Sequence, residues 1–342
     1  MFRVYVVLGL VLIAGLLVTQ PQLPQALFAD GTLFSETDAP LPELVTGTEL
    51  IFLGDVMLGR NVERLSNRHG SAYPWSRIPP FGERSIVVAN FEAAVPEIHQ
   101  PTPDYTFAFS VHPDLLSPMR AAGVTHLSLA NNHSYDFGST GYSHTVRTLR
   151  ETGFITWGDQ TEHASSSVRF VSINDTTVAL IALYALDRFP SEAALDSIFK
   201  EASLAETQVV FVHWGPEYQL TPSANQRTAA SRLVAQGADL IVGHHPHVVQ
   251  SIELVDGVPV FYSLGNFIFD QYFSSEVQTG LLLRVAFSDD TDMTVMLQPV
   301  ESHSKLSAPA LLSETAKNTF LETLAARSDP GIQEMIRSGT FR

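Results

Sequence analysis

No cysteine occurs among the 342 residues. Disulfides, thiolate metal sites, a cysteine nucleophile and a lipid-modified N-terminal cysteine are excluded, and any metal must be held by oxygen and imidazole. Basic side chains are scarce as well: 20 Lys and Arg stand against 36 Asp and Glu, a formal charge of -16. Such a surface repels nucleic acid and anionic lipid, so no nucleic-acid partner is expected, and an anionic substrate needs a local cation. Also missing are GxxxxGK, GxGxxG after a strand, HExxH and GxSxG. Their absence disfavours nucleotide-dependent ligation by this chain alone.

Hydrophobic residues make up 45% of the chain, enough for a sizeable core. Residues 1–20 carry one early arginine and an uncharged apolar run from Val4 to Val18, which reads as an N-terminal membrane anchor or a signal peptide. A weak cleavage candidate near Ala29 favours the anchor. Residues 21–47 read as a Pro-rich linker. The folded part is therefore expected outside the cytoplasm, tethered to the cell membrane by a single N-terminal anchor, or secreted if the signal is cleaved.

Residues 48–305 alternate strand-length apolar runs with longer amphipathic segments, the pattern of an α/β domain. Strands are expected at 49–55, 85–92, 125–132, 208–215, 239–245 and 258–267, and helices at 61–70, 112–123, 138–153 and 223–237. Hairpins are expected within 171–186, within 251–264 around Asp256-Gly257, and within 279–300. Residues 306–342 read as a helical C-terminal tail. The segment 104–110 alternates aromatics at strand spacing and is assigned to the core.

The strands share one regularity: each ends in ligand-type residues. These are Asp55; Asn90 and Glu92; Asn131, Asn132 and His133; His213; His244, His245 and His247; and Asn266. In open α/β sheets ligands bind beyond the carboxyl ends of the strands, so six ends could meet in one crevice. Each piece alone has a plainer explanation: an N-cap aspartate, a turn asparagine, a core histidine, a solvated glutamate. Together they fit a hydrolytic site for one or two divalent ions, Mn, Zn or Fe. Arg60, Arg64 and Arg68 fall four apart on one helix face, and Arg60, nearest Asp55, is the candidate anion contact. Trp214, Glu217 and Tyr218 follow His213 and could line the pocket.

The blocks FLGDVMLGR, NFEAAV, SLANNHSYDFG, VHWGPEY, GHHPHVVQ and YSLGNFIFD, spanning residues 51–270 in this order, resemble the CapA-type capsule and poly-gamma-glutamate synthesis proteins. That resemblance implies a metallophosphatase-like four-layer αββα sandwich with mixed β-sheets. It also implies metal ligation by Asp55, Asn132, His213, His245 and His247, an acid role for His133, and a bridging acid supplied by Glu92 or Asn90. Met57 stands where the superfamily has the histidine of Asp-x-His, which leaves one ion or two open. Substrate contacts would fall to Arg60, Trp214, Glu217, Tyr218 and Asn266.

Two functions follow. One is metal-dependent hydrolysis of a phosphoester or amide bond in an anionic cell-envelope polymer or its precursor, with Asp55, Arg60 and His133 at the reacting centre. The other is a non-catalytic factor that binds the polymer or assembles with a membrane synthase complex. Within GHHPH, the motif match selects His245 and His247 and marks His244 as dispensable.

Overall fold

The computed structural model describes residues 45–103, 106–161, 165–288 and 292–342. The expected anchor and nearly all of the linker lie outside the described residues. No helix among the described residues is long and apolar enough to cross a membrane.

Two mixed sheets form the centre. One has the strand order Val45–Gly47, Val168–Ile173, Thr176–Tyr184, Thr207–His213, Leu240–His244, Val258–Phe261, Ile252–Val255. The other runs Ala310–Leu311, Met293–Glu301, Thr279–Phe287, Glu49–Val56, Ser85–Phe91, His126–Ser128, Ile155–Trp157, with Asn266–Ile268 added beside Glu49–Val56 and Thr340–Phe341 beside Met293–Glu301.

Side-chain alternation divides each central strand between two layers. Leu50, Phe52, Ile86 and Val88 meet Leu180, Ala182, Val209, Phe211 and Val242 between the sheets, where the Phe52 and Phe211 rings lie 6.0 Å apart. Ile51, Leu53, Val87 and Ala89 face outward onto Val62, Leu116, Met119 and Leu149 of the helices Arg60–His69, Leu116–Ala121 and Gly138–Glu151. On the far side Ile181, Leu183, Val210 and Ile241 pack on the helices Glu192–Ala202 and Ala224–Ala235. The result is helix, sheet, sheet, helix. Burying each large apolar side chain contributes about 1.5–3 kcal/mol.

The expected hairpins are present, and the turn at Asp256-Gly257 has both residues at positive φ, 48° and 87°. One helix was not anticipated. Glu192–Ala202 starts at Ser191, whose hydroxyl accepts from the Ala194 N–H, and buries Leu195, Ile198, Phe199 and Ala202 at helical spacing. The C-terminal residues form the helices Glu314–Arg327 and Gln333–Ser338, and Leu321, Leu324, Ala325, Ile336 and Phe341 join the inter-sheet core. Residues 106–110 of the aromatic segment form no strand. Of its described residues Phe107 is 75% exposed, whereas Phe109 is buried.

His126 is fully buried on the inter-sheet face beside Trp157, and its Nε2 has no hydrogen-bond partner. Burial, then the charges of Arg169 and Arg120, push its pKa down to about 3 from 6.5. Between these values the unfolded chain holds a proton that the native protein does not, so this contribution to stability is lost as pH falls below 6.5. Urea midpoints of wild type and His126→Leu from pH 7 to pH 4.5 check this. The variant is expected to lose less stability, by up to about 1.4 kcal/mol per pH unit, and parallel curves would count against it.

Candidate functional site

Adjacent parallel strands deliver the polar residues as cross-strand neighbours: Asp55 lies opposite Asn90 and Asn266, and His213 opposite His244. Phase decides which residues enter the pocket. Asn90 continues the inward series Ile86, Val88, as His213 continues Val209, Phe211 and His244 continues Leu240, Val242. Asp55 is out of phase with Leu50 and Phe52, but the register shifts between Phe52 and Asp55 and turns its carboxylate inward. Gly54 permits this because a Cβ there would lie 2.0 Å from the Gly265 carbonyl oxygen, which accepts the Asp55 N–H at 3.0 Å.

Asp55 is fully buried and joins the two sheets. Its Oδ1 accepts from Asn90 Nδ2 at 2.8 Å and lies 3.1 Å from His244 Nδ1. Its Oδ2 receives the His245 N–H at 3.3 Å and lies 3.4 Å from His247 Nδ1. His245 and His247 both hold positive φ, 95° and 57°, an uncommon conformation for non-glycine residues that costs of order 1–3 kcal/mol each. The bond from the His245 N–H to Asp55 helps to hold that turn.

Around this pair, Asn90 Nδ2 is 3.2 Å from His213 Nδ1, and His213 Nε2 is 2.7 Å from Asn132 Oδ1. Asn131 donates to Asn90 Oδ1 at 3.1 Å. Asn266 Oδ1 meets His247 Nδ1 at 3.0 Å, which leaves His247 Nε2 3.7 Å from Glu92 Oε1. His133 Nδ1 is 2.9 Å from Asp136 Oδ2, and its ring stacks on Phe109 at 4.0 Å. Its Nε2 is thereby turned toward Glu92, 3.9 Å from Oε1.

The charges are tuned in opposite directions. Burial would raise Asp55, but hydrogen bonds to His244 and His247 and their charges outweigh it and hold the carboxyl well below its ordinary value. Burial, then the charges of Asp55, Glu217 and Asp136, push Glu92 well above its own. Burial followed by the charge of His245 lowers His213, and burial followed by His247 lowers His245 to about 3, so both rings are neutral.

These features fit a divalent ion. Glu92 Oε1 and His245 Nδ1 are buried with no hydrogen-bond partner, and neutral imidazoles are the ligating form. Three sets of donors converge, with one atom of each residue within 4.8 Å of the others: Glu92, His213 and His245; Asp55, Glu92 and His247; Glu217, His245 and His247. Oxygen and imidazole suit Zn, Mn or Fe. Glu92 belongs to two sets, the placement of a bridging acid, whereas Asn90 spends its amide on Asp55 and its carbonyl on Asn131. Asn90 thereby holds Asp55 and Asn131 in register with the donors.

Several expected residues are placed differently. Arg60 forms a bidentate ion pair with Asp270, with Nε 3.0 and 3.1 Å from its oxygens, and lies over Phe109 at 4.6 Å. Asp270 also accepts the Asn61 N–H at 3.0 Å, so Arg60 is tied to the helix start rather than open to an anion. Trp214 falls on the opposite face of its strand from His213: its indole donates to the Tyr262 carbonyl and borders a separate cavity of ≈ 480 Å³. Strand alternation carries that information. Asn266 is buried and orients His247. Tyr218 is 40% exposed at the mouth, its ring 6.1 Å from His247, and its hydroxyl accepts from Gln271 at 3.0 Å. Met57 is buried in the helix-side core.

His244, marked as dispensable in the sequence, is fully buried, bonded to Asp55 and packed on Phe211 at 4.0 Å. Asp136 and Asp270 escaped sequence reasoning. The spacing His133-x-x-Asp136 could have suggested the first, and nothing local points to the second.

Two mixed sheets with helices outside and an oxygen-and-imidazole pocket at the strand ends define a metallophosphatase-like fold. Residues 49–271 match the family described as bacterial capsule synthesis protein PGA_cap, and the chain belongs to it. It is 31% identical over 256 residues to a capsule biosynthesis protein CapA of Bacillus anthracis, a match covering 68% of this chain and 62% of that one. It is 27% identical to the PGA biosynthesis protein CapA of Bacillus subtilis, over 81% of this chain and 78% of the relative. A probable polyglutamine synthesis accessory protein of Mycobacterium tuberculosis is 24% identical, over 67% and 75%. This chain thus spans less than two thirds of the Bacillus anthracis relative.

Replacing His244 by alanine is expected to cost about 3 kcal/mol, because it strips a buried carboxylate of a partner and leaves a cavity against Phe211. Denaturant unfolding measures it, and a loss below about 0.5 kcal/mol would restore His244 to the dispensable class.

Proposed function

We infer that this protein serves the synthesis or export of a capsule or poly-gamma-glutamate-type polymer, and that its pocket is a metal-dependent hydrolytic site for a phosphoester or amide bond. One observation carries the reading: Glu92 is shared by two donor sets, and the free nitrogen of His133 faces it. The family and the relatives' names support the polymer, and the donor chemistry supports the reaction.

Asp55, Glu92, Asn132, His213, His245 and His247 would hold the ion or ions. A bound divalent ion supplies Lewis acidity and lowers the pKa of a water nucleophile. The chain's own part is to position and to move a proton. Asp136 holds His133 Nδ1, so Nε2 is the atom that delivers a proton to the leaving group. Phe109 fixes the plane of that ring. Arg60, neutralised by Asp270, positions the helix start and Phe109 instead of binding the substrate's charge.

We place the domain outside the cytoplasm, held by residues 1–20 and acting beside a membrane synthase on an anionic polymer or its precursor. The apolar run supports the tether, and the mycobacterial relative, described as a probable polyglutamine synthesis accessory protein, supports the association with a synthase. Met57 in place of an imidazole favours a second reading, a polymer-binding assembly factor with a weakened metal pocket.

The two readings separate on His133, which is outside all three donor sets. Elemental analysis of purified His133→Ala is expected to find the wild-type metal content. Its hydrolysis of bis(p-nitrophenyl) phosphate or of gamma-linked glutamate oligomers should fall by about 10²–10⁴-fold. If neither His133→Ala nor chelation changes the rate, the hydrolytic reading is wrong. Protease treatment of intact cells or spheroplasts tests the topology: the domain should be digested, and full protection would place it inside.

A further inference from the structure

Glu217 differs from every other donor in the pocket. Its side chain is 45% exposed, against 3% for His247 and 0% for Glu92, so it alone can leave the cluster without unpacking the fold. The loop that carries it is clasped to the histidine turn. Gly215 has φ 82°, where a Cβ would run into the Gln226 side chain, and Tyr218 has φ 62° with its N–H donating to the Pro246 carbonyl at 2.8 Å. These restraints fix the backbone on either side of Glu217 over His245 and His247 while leaving its carboxylate at the mouth. Its Oε1 lies 4.0 Å from His247 Nε2, too far for a hydrogen bond, yet within the spread of donors that share one ion.

We propose that Glu217 is an exchangeable cation ligand. Its carboxylate closes the His245/His247 position while the pocket is empty and yields it to the anionic oxygen of an incoming substrate, a carboxylate or a phosphate. The protein's own γ-carboxylate thus occupies the place that a polymer carboxylate takes, and this selects substrates able to displace it. No bond is made or broken in the exchange beyond coordination. The proposal rests on the reading that the pocket takes a divalent ion.

Calorimetric titration of the full chain with Mn²⁺ tests it, using wild type, Glu217→Gln, Glu217→Asp and, as a control for the site, His247→Ala. Without added anion, Glu217→Gln should bind Mn²⁺ about tenfold more weakly than wild type, with Glu217→Asp recovering part of the loss. Inorganic phosphate and glutarate, titrated separately onto the Mn²⁺-loaded proteins, should each bind Glu217→Gln about tenfold more tightly than wild type, because the competing carboxylate is gone. A gain with only one anion still supports exchange and identifies the chemistry that displaces Glu217. Weaker Mn²⁺ binding with unchanged anion affinity would make Glu217 a fixed ligand and overturn exchange. Equal affinities for both in wild type and Glu217→Gln would overturn the proposal and leave the metal reading intact. No Mn²⁺ binding by wild type would overturn both.

Discussion

The buried Asp55 carboxylate is the interaction on which the pocket depends. It sits at the end of a strand in one sheet and is bonded to Asn90 in that sheet and to His244 and the His245 N–H of the other. A carboxylate without solvent must be satisfied by hydrogen bonds or opposite charge, and any opening of the sheets at this end would strip it of partners. The same bonds that make burial tolerable therefore fix the distance between the sheets where the donors meet. The left-handed backbone of His245 and His247 is held by this arrangement and aims two imidazoles at one space.

Around that centre, most polar side chains have two tasks, one toward the fold and one toward the pocket. Asn266 takes one nitrogen of His247 and leaves the other facing Glu92; Asp136 does the same for His133. Asn90 separates Asp55 from Glu92 with a shared amide. Asp270 caps a helix across the fold and removes Arg60 from the supply of free cations. What remains is a pocket rich in acid, with neutral imidazoles at His213 and His245, a donor set suited to a bound cation.

Some of this was legible in the sequence because the signals are local and periodic. Two-residue alternation places Val209, Phe211 and His213 on one face, and it also places Trp214 on the other, a consequence that was overlooked. The helix Glu192–Ala202 carried a serine cap and apolar spacing and was readable in the same way. His244 was discounted by counting within a motif, although the phase of Leu240 and Val242 turns it inward beside Asp55. Asp270 lies 209 residues from the helix it caps, and no local pattern announces such a partner.

The sequence by itself determined the α/β class, the chemistry of the donors and the strand ends at which they gather, because composition and strand period dictate these without reference to distant residues, whereas the four layers were implied by the family resemblance. Tertiary structure decided the rest. The register shift before Asp55, the closeness of Gly54 to Gly265, the pairing of Arg60 and the exposure of Glu217 arise where segments far apart in the chain compete for the same space and the same hydrogen-bonding groups. Those contests have outcomes only in three dimensions, and they separate the donors that are locked in place from the one at the mouth that is free to move.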